Sequence, residues 1–538
     1  MTCANAGLER SPSKRGMVNS VFLTFIIYQK FKRRTEICPC KSQDTIMNVQ
    51  ENSLNFDWDF GISEALSFED YAYFYLIMNL IGLVLSVRAI MTARTSQSAV
   101  AWAISLITFP IISVPIFLMI GRRRFHGYVD ARREGVLEIN YLGRDVAKEL
   151  EEHYPSEQQN LGDYVVFEEL AALSFTGTNS TKLLIDGNET FKSMFDAINK
   201  AQKYVLVQFY IVRPDYLGNT LADLLKERAR KGIDVYFLYD EIGSHGLTRD
   251  FIEDLRKNKV KMIPFVSSQG RASRWQINFR NHRKICVVDG TIGFVGGHNL
   301  GVEYIGKDSY FGHWRDTHLR IEGPAVLGLQ LAFVEDWYWS SKILPKLIWD
   351  VDPGQGDKRI LNLPTGPADE TESCGLFFLH AIHHAKKRLW IASPYFIPDT
   401  PVIQSLILAS LRGVDVRILM PGKPDRQIVH FASLGYVDQC VKSGVKVYRY
   451  KEGFMHQKAI IVDDDFASIG TANLDNRSFR LNFEIMTIVI DKEFNKEVEE
   501  MFLRDFEQSE LVDKCELDGA SYLHRFLARF ADMFSPIL

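Results

Sequence analysis

An excess of basic residues is missing from this 538-residue chain: 63 Lys and Arg stand against 67 Asp and Glu, a formal net charge of −4. No global basic field gathers a polyanion, which argues against a dedicated nucleic-acid binder and leaves room only for a local basic pocket. Cysteine is also scarce. The seven present are Cys3, Cys38, Cys40, Cys286, Cys374, Cys440 and Cys515. Their number is odd, their spacing is irregular and no pair of C-x2-C units occurs, so neither a structural zinc site nor a disulfide framework is indicated. The early apolar stretch at 21–28 is too short to span a bilayer, and no small-residue cleavage site follows it.

What the chain has is apolar mass in two different patterns. Hydrophobic residues make up 46% and charged residues 24%, a composition that supports a large folded core rather than disorder. Near the N-terminus, residues 71–87 and 99–121 are runs of 17 and 23 residues without a charge. A bilayer core of about 30 Å takes about 20 helical residues, so both runs predict membrane helices joined as a hairpin over 68–121; the alternative is a pair of buried soluble helices. Pro110 and Pro115 fall inside the second run, where membrane helices tolerate them. Arginines at 122–124, 132 and 133 follow the hairpin, whereas Arg88 and Arg94 are the only basic residues of its loop. That bias predicts a multi-pass protein of the membrane whose bulk faces the cytoplasm. Residues 1–46 differ in character and read as an extension, with Met47 as the expected start.

Beyond the hairpin and a connecting segment (122–180) the chain reads as soluble α/β. Two halves are expected, 181–352 and 372–538, separated by a Pro/Gly-rich linker at 353–371. The halves repeat each other. The first holds Asn281-His282-Arg283-Lys284, Asp289 and then Gly296-Gly297-His298-Asn299. The second holds Met455-His456-Gln457-Lys458, Asp463 and then Gly470-Thr471-Ala472-Asn473. His, Lys and Asp stand at 0, +2 and +7 in both, with a glycine at +14 and an asparagine at +17. One such triplet arises by chance in a long chain; two with matched tails do not.

These residue types suit phosphodiester chemistry. On a strand, positions 0 and +2 share a face, so His282 with Lys284 and His456 with Lys458 are expected to project together. If the halves pack about a pseudo-two-fold axis, both pairs close on one phosphate. One imidazole then attacks phosphorus and the other moves the proton of the leaving and incoming alcohols. The lysines, with Asn299 and Asn473 as substrate-binding residues, stabilise charge on the phosphoryl oxygens, and no metal or cofactor is required. Asp289 and Asp463 complete the expected catalytic set, each either orienting a histidine or pairing with a basic residue. Glu303 and Glu484 follow the motifs and either contact a headgroup, orient a site residue or form structural pairs. The cluster His380, His383 and His384 adjoins Lys386, Lys387 and Arg388, which disfavours a bound cation.

At the paired motifs the chain resembles the phospholipase D superfamily, over roughly residues 180–510. It is most similar to its bacterial cardiolipin synthases, through the N-terminal hairpin, the Gly-Gly-x-Asn at 296–299 and the segments 301–306, 314–318 with 321–324, and 393–398. Gly297 stands where many superfamily members carry Ser. The resemblance implies two tandem phospholipase D-like repeats and a phosphohistidine intermediate. It implies conversion of two phosphatidylglycerol molecules to cardiolipin and glycerol at the bacterial cytoplasmic membrane. It also implies His282 as nucleophile and His456 as acid and base, although the reverse assignment fits the same residues. Other readings on this scaffold are a hydrolase, a different phosphatidyltransferase, a nuclease and a non-catalytic scaffold.

Overall fold

In the computed structural model the described residues are 68–93, 95–121, 128, 148, 162–267, 278–350, 354–514 and 516–538. The chain divides into two units, Met1–Ser67 and Phe68–Leu538, and the described residues all lie in the second. The extension at 1–46, the start at Met47 and the arginines at 122–124, 132 and 133 lie outside them.

The first apolar run forms helix α1, Phe68–Thr92, with Glu69 and Asp70 in its first turn, where the helix dipole favours them. It is long and apolar enough to cross a membrane. The second run departs from expectation: it is two helices, α2 (Ser96–Thr108) and α3 (Pro110–Ile120). The break falls at Phe109, whose backbone angles (φ −131°, ψ 56°) leave the helical region. Its cause is Pro110, which disfavours the helical conformation in the residue before it and then serves as a first helical residue. Pro115, one turn further on, is accommodated inside α3. The three helices share a small core of Ala89, Leu106, Val114 and Phe117, with Trp102 edge-on to Phe117 at 5.0 Å.

The remainder is mixed α/β. In the N-terminal part the strands are β1 Thr176–Ile185, β2 Tyr204–Phe209, β3 Asp234–Asp240, β4 Lys261–Phe265, β5 Arg280–Asn281, β6 Ile285–Val288, β7 Ile292–Gly296, β8 Trp314–Arg315 and β9 Thr317–Glu322. There follow β10 Lys358–Thr365, β11 Arg388–Ala392, β12 Phe396–Ile397, β13 Asp415–Pro421, β14 Lys446–Tyr450, β15 Phe454–Met455, β16 Ala459–Val462, β17 Phe466–Gly470, β18 Leu474–Asp475, β19 Asn482–Ile490 and β20 Ser509–Leu511. Sixteen of these form one sheet, fifteen of them in the order β20-β14-β13-β11-β16-β17-β19-β10-β1-β9-β7-β6-β2-β3-β4, with β5 attached beside β19. Outward from β1 the pairings are β9, β7, β6, β2, β3 and β4; outward from β10 they are β19, β17, β16, β11, β13 and β14.

The segment expected as an irregular linker contains β10, which pairs antiparallel with both β1 and β19 at the middle of the sheet. Its Pro and Gly residues suggested a loop, but Ile360, Leu361 and Leu363 are fully buried and β10 joins the two parts. Central strands are apolar on both faces: all six residues of β2 are buried, and all of β19 up to its last residue. Such runs belong to sheets covered on both sides. The helix Val326–Ser341 and the helix Lys492–Glu507 supply part of that cover and, as shown below, one carboxylate each to the site.

Candidate active site

Each motif histidine sits where the chain changes partner. β5 pairs in parallel with the start of β19, Asn281 opposite Phe483, before β6 pairs with β2. β15 pairs in parallel with β8, Met455 opposite Arg315, before β16 pairs with β11. His282 to Lys284 and His456 to Lys458 are the short connections between these strands, not the regular strand interior that the spacing suggested. The register carries on one further residue. His282 N–H donates to Phe483 O at 2.9 Å and His456 N–H to Arg315 O at 2.8 Å. The next residue on each facing strand is an acid. His282 Nδ1 donates to Glu484 Oε2 at 2.9 Å, and His456 Nδ1 to Asp316 Oδ2 at 2.8 Å. Each imidazole is thus oriented by a carboxylate from the other part of the chain.

Both acids are fully buried and further held. Glu484 accepts from Thr471 Oγ1 (2.6 Å), Ser478 Oγ (2.9 Å) and Asn482 Nδ2 (3.0 Å). Asp316 accepts from the Thr317 amide at 2.8 Å. Burial is the largest single effect on both carboxyls and works to raise them, but His282, Lys284 and Thr471 together outweigh it at Glu484, and Lys458, His298 and His456 together outweigh it at Asp316, so both stay below their ordinary range and ionised. A carboxylate only accepts, which places the proton of neutral His282 on Nδ1 and leaves its Nε2 with its lone pair; at His456 the carboxylate calls for the same tautomer, while Lys458 competes for the same Nδ1.

The lysines also belong to one field. Lys284 Nζ donates to His282 O at 2.6 Å, and Lys458 Nζ bonds His456 O and lies 2.8 Å from His456 Nδ1. Burial lowers His282 to about 4, with Glu484 opposing and Lys284 and Lys458 adding to the fall. Burial lowers His456 to about 3, helped by Lys458 and Lys284. Each imidazole therefore feels the lysine of the other motif as well as its own, which brings the four groups to one locus. Burial also brings Lys458 down to about 8 against the pull of Asp316 and Glu484, and carries Lys284 well below its ordinary value.

The residue between His and Lys ties each motif to a helix. Arg283 Nη1 donates to Asp336 Oδ2 at 3.0 Å on the helix Val326–Ser341, and its Nε to Glu484 O at 3.0 Å. Gln457 Nε2 donates to Asp505 Oδ2 at 2.8 Å on the helix Lys492–Glu507, where Arg315 also bonds both carboxylate oxygens.

The motif aspartates, expected in the catalytic set, are held by backbone amides rather than by a histidine or a basic side chain. Asp289 accepts from the amides of Gln202, Lys203 and Tyr204 at 2.7–2.9 Å. Asp463 accepts from those of Lys386, Lys387 and Arg388 at 2.7–2.8 Å. Both have positive φ, 54° and 50°. They pin the end of β6 and β16 to the start of β2 and β11, at the far end of the strand from the histidines. Asn299 spends its side chain on Ile211 N (3.1 Å) and Tyr304 Oη (3.2 Å). Asn473 Nδ2 donates to Asp475 Oδ2 at 3.3 Å, and its buried Oδ1 has no hydrogen-bond partner among the described residues. Glu303 pairs with Arg213 at 3.3 Å.

Two features were not readable from spacing. Asp316 lies 34 positions after His282 and acts on the other motif, so only the cross-strand register reveals it. Gly297 packs on it: a Cβ at this position would lie 2.0 Å from Asp316 Oδ1. His298 and His318 then form a buried pair beside this loop, Nδ1 to Nδ1 at 3.0 Å, with burial lowering both. A group of arginines that act electrostatically on Tyr210 was also missed. Tyr210 stands edge-on to His282 at 4.9 Å. Burial and Asp240 raise its phenol, while Arg477, Arg280 and Arg426 pull against them.

Comparison with known proteins agrees with this geometry. A family model described as cardiolipin synthase, phospholipase D-like domain, matches residues 194–309 and 378–506, which contain both motifs. Cardiolipin synthase A of Pseudomonas aeruginosa (strain LESB58) is 44% identical over 466 residues, 86% of this chain and 95% of that protein. The enzyme of the same name from Pseudomonas putida (strain GB-1) is 44% identical over 472 residues, 87% of this chain and 98% of its own length. The crystal structure of phosphatidylserine synthase from Haemophilus influenzae Rd KW20 superposes with a TM-score of 0.56 at 14% identity, covering 70% of this chain and all of that one, a likeness of fold. By its paired motifs and by identity over most of its length, the chain belongs to the cardiolipin synthase family of phospholipase D-type phosphatidyltransferases.

Proposed function

We propose that this chain joins two phosphatidylglycerol molecules into cardiolipin and free glycerol, with His282 as the nucleophile. Nε2 of His282 attacks the phosphorus of the first lipid. The bond from phosphorus to the headgroup glycerol oxygen breaks, His456 gives that oxygen a proton, and glycerol leaves. A hydroxyl of the second phosphatidylglycerol then attacks the phosphohistidine, His456 recovers its proton, and the N–P bond breaks. Lys284 and Lys458 neutralise the phosphoryl oxygens throughout. The observation that carries this reading is the crossed pairing His282–Glu484 and His456–Asp316, which directs Nε2 of His282 to attack with its lone pair free. An anionic phosphodiester beside Lys284 and Lys458 offsets their charge and raises His456 toward the protonated form it needs as an acid.

The matching strand orders on either side of β1 and β10 support two tandem phospholipase D-like repeats about a pseudo-two-fold axis. The helix α1, with α2 and α3 as a broken return, supports a hairpin in the bacterial cytoplasmic membrane, and the arginines that follow it in the sequence support a catalytic part on the cytoplasmic side. Asn473, with its unpartnered Oδ1, suits contact with substrate better than Asn299, whose amide is engaged at both ends. Arg280, Arg426 and Arg477 supply the local cations that an anionic lipid requires in a chain of net negative charge. The test is reconstitution into vesicles with headgroup-labelled phosphatidylglycerol. Cardiolipin and labelled glycerol in equal amounts are the expected products; phosphatidic acid in their place assigns the chain to the hydrolases.

A further inference from the structure

The C-terminal helix Tyr522–Asp532 is built inside out for a helix on a water-soluble body. It turns its small residues inward: Ala528 is 3% exposed and Ala531 5%. Its large apolar residues face away, with Tyr522 80% exposed, Leu523 64%, Phe526 54% and Phe530 49%, and Met533 just beyond it is 74% exposed. At about 100° per residue these five fall within an arc of roughly 100°. A soluble helix places such a stripe against the core, and an exposed stripe of this kind marks an interaction surface. Arg525 and Arg529, one turn apart, lie along one edge of the stripe and are exposed.

The helix is tied directly to the catalytic locus. The 3-10 turn Ser535–Ile537 continues from it. The amide of Arg477 donates to Leu538 O at 3.1 Å. The same residue's guanidinium donates to Ile537 O at 3.3 Å and to Asn278 O at 2.7 Å. Asn278 lies four residues before His282, and Arg477 acts on Tyr210, the ring that stands against His282. Arg477 therefore links the end of this helix, through the backbone of the C-terminal turn, to the segment that leads into His282.

We propose that this helix is a second membrane contact, lying in the interface of an anionic bilayer and seating the active site on the lipid that it consumes. Aromatic and aliphatic side chains enter the acyl boundary, and Arg525 and Arg529 reach the phosphates at its edge, as interfacial amphipathic helices do. A bilayer fits better than a protein partner because Arg525 and Arg529 edge the stripe and the substrate of the proposed reaction is itself an anionic lipid. The inference rests on that reading for its purpose but not for its detection.

The test uses the full chain in phosphatidylglycerol vesicles, with p-benzoylphenylalanine in place of Phe526 or Phe530. Irradiation is expected to give lipid adducts at both positions, read by mass. Adducts to another part of this chain or to a second copy, or none, overturn the proposal. A second measurement uses the variant L523S/F526S/F530S. Its apparent KM for phosphatidylglycerol in a bilayer is expected to rise about tenfold, while kcat/KM for a short-chain, monomeric phosphatidylglycerol stays within a factor of two. Equal losses on both substrates mark a merely structural role and overturn it. Failure of the native chain to form cardiolipin defeats the proposed reaction and leaves the adduct measurement standing as an independent readout.

Discussion

Asp316 and His456 are separated by 140 positions in the chain, yet Oδ2 of the one accepts from Nδ1 of the other at 2.8 Å. The contact follows from a two-residue parallel pairing, Phe454 with Trp314 and Met455 with Arg315, extended by one step. Glu484 reaches His282 by the same device, one residue past the pairing of Phe483 with Asn281. Neither histidine can be oriented until both parts of the chain have folded together, so the site is a property of the whole sheet.

The first prediction concerns these acids. Asp316→Asn and Glu484→Gln keep the size of the side chain but replace an acceptor-only carboxylate with a neutral amide that can also turn an N–H toward Nδ1, so the Nδ1 proton is no longer fixed. Each is expected to lower kcat by about 10²–10⁴-fold, the range attached to a correctly oriented acid–base group, with little change in KM. Steady-state rates in vesicles check this. The histidines separate in a second assay, with a phosphatidyl ester of p-nitrophenol. That leaving group needs no proton, so His456→Ala still releases p-nitrophenol in a burst and retains a phosphoramidate on the protein. His282→Ala gives neither.

Gly297 supports the second prediction. A side chain there meets the Asp316 carboxylate at 2.0 Å and must displace it or be displaced. Overpacking of this kind costs about 1–3 kcal/mol. Gly297→Ala is expected to lower kcat about tenfold or more through a misplaced His456, with a smaller fall in the unfolding midpoint. A full loss of stability with unchanged kcat per folded molecule counts against this account.

The motif aspartates give the third. Asp289 binds three backbone amides at the start of β2, and hydrogen bonds to a charged group contribute about 1.5–3 kcal/mol each. Asp289→Ala is expected to lower the denaturation midpoint substantially while kcat per folded molecule at low temperature stays within about threefold. The same holds for Asp463→Ala. A loss of kcat as large as that of His282→Ala, in protein that is still folded, restores the aspartates to the catalytic group.

Much of this architecture is legible from spacing alone. The two His-x-Lys pairs are local patterns, and so are the matched glycines: a Cβ at Gly296 or Gly470 would meet the neighbouring backbone oxygen, Thr317 O at 2.4 Å or Ile485 O at 2.3 Å. What spacing hides is what depends on pairing between distant strands. Asp316 carries no spacing signal of its own, and Glu484, already singled out as an acid that could orient a site residue, is assigned to His282 only when β5 is seen beside β19. The strand β10 was masked by its Pro and Gly neighbours, because burial at Ile360 and Leu363 outweighs local turn propensity. The break at Phe109 was legible in Pro110 but was outweighed by the unbroken apolar run.

The last prediction separates activity from stability by pH. Lys458 is lowered by burial to about 8, against an ordinary value of about 10.4. Its charge is needed at the phosphoryl oxygens, so kcat/KM should fall as pH rises through about 8 with the loss of one proton. Stability moves the other way. Between about 8 and 10.4 the unfolded chain holds more protons on this lysine than the folded one, so the folded state gains as pH rises across that window. The comparison that isolates the residue is native protein against Lys458→Met: the native unfolding midpoint should gain on the variant's between pH 8 and 10 while native turnover declines. The histidines set the acid side by the same rule. With folded values of about 4 and 3 against about 6.5 unfolded, the stability held in their neutral forms is complete above pH 6.5 and is lost as pH falls toward 4. His282→Gln should flatten part of that acid decline. An acid limb unchanged by this substitution means that His282 is not the buried neutral imidazole on which the attack depends.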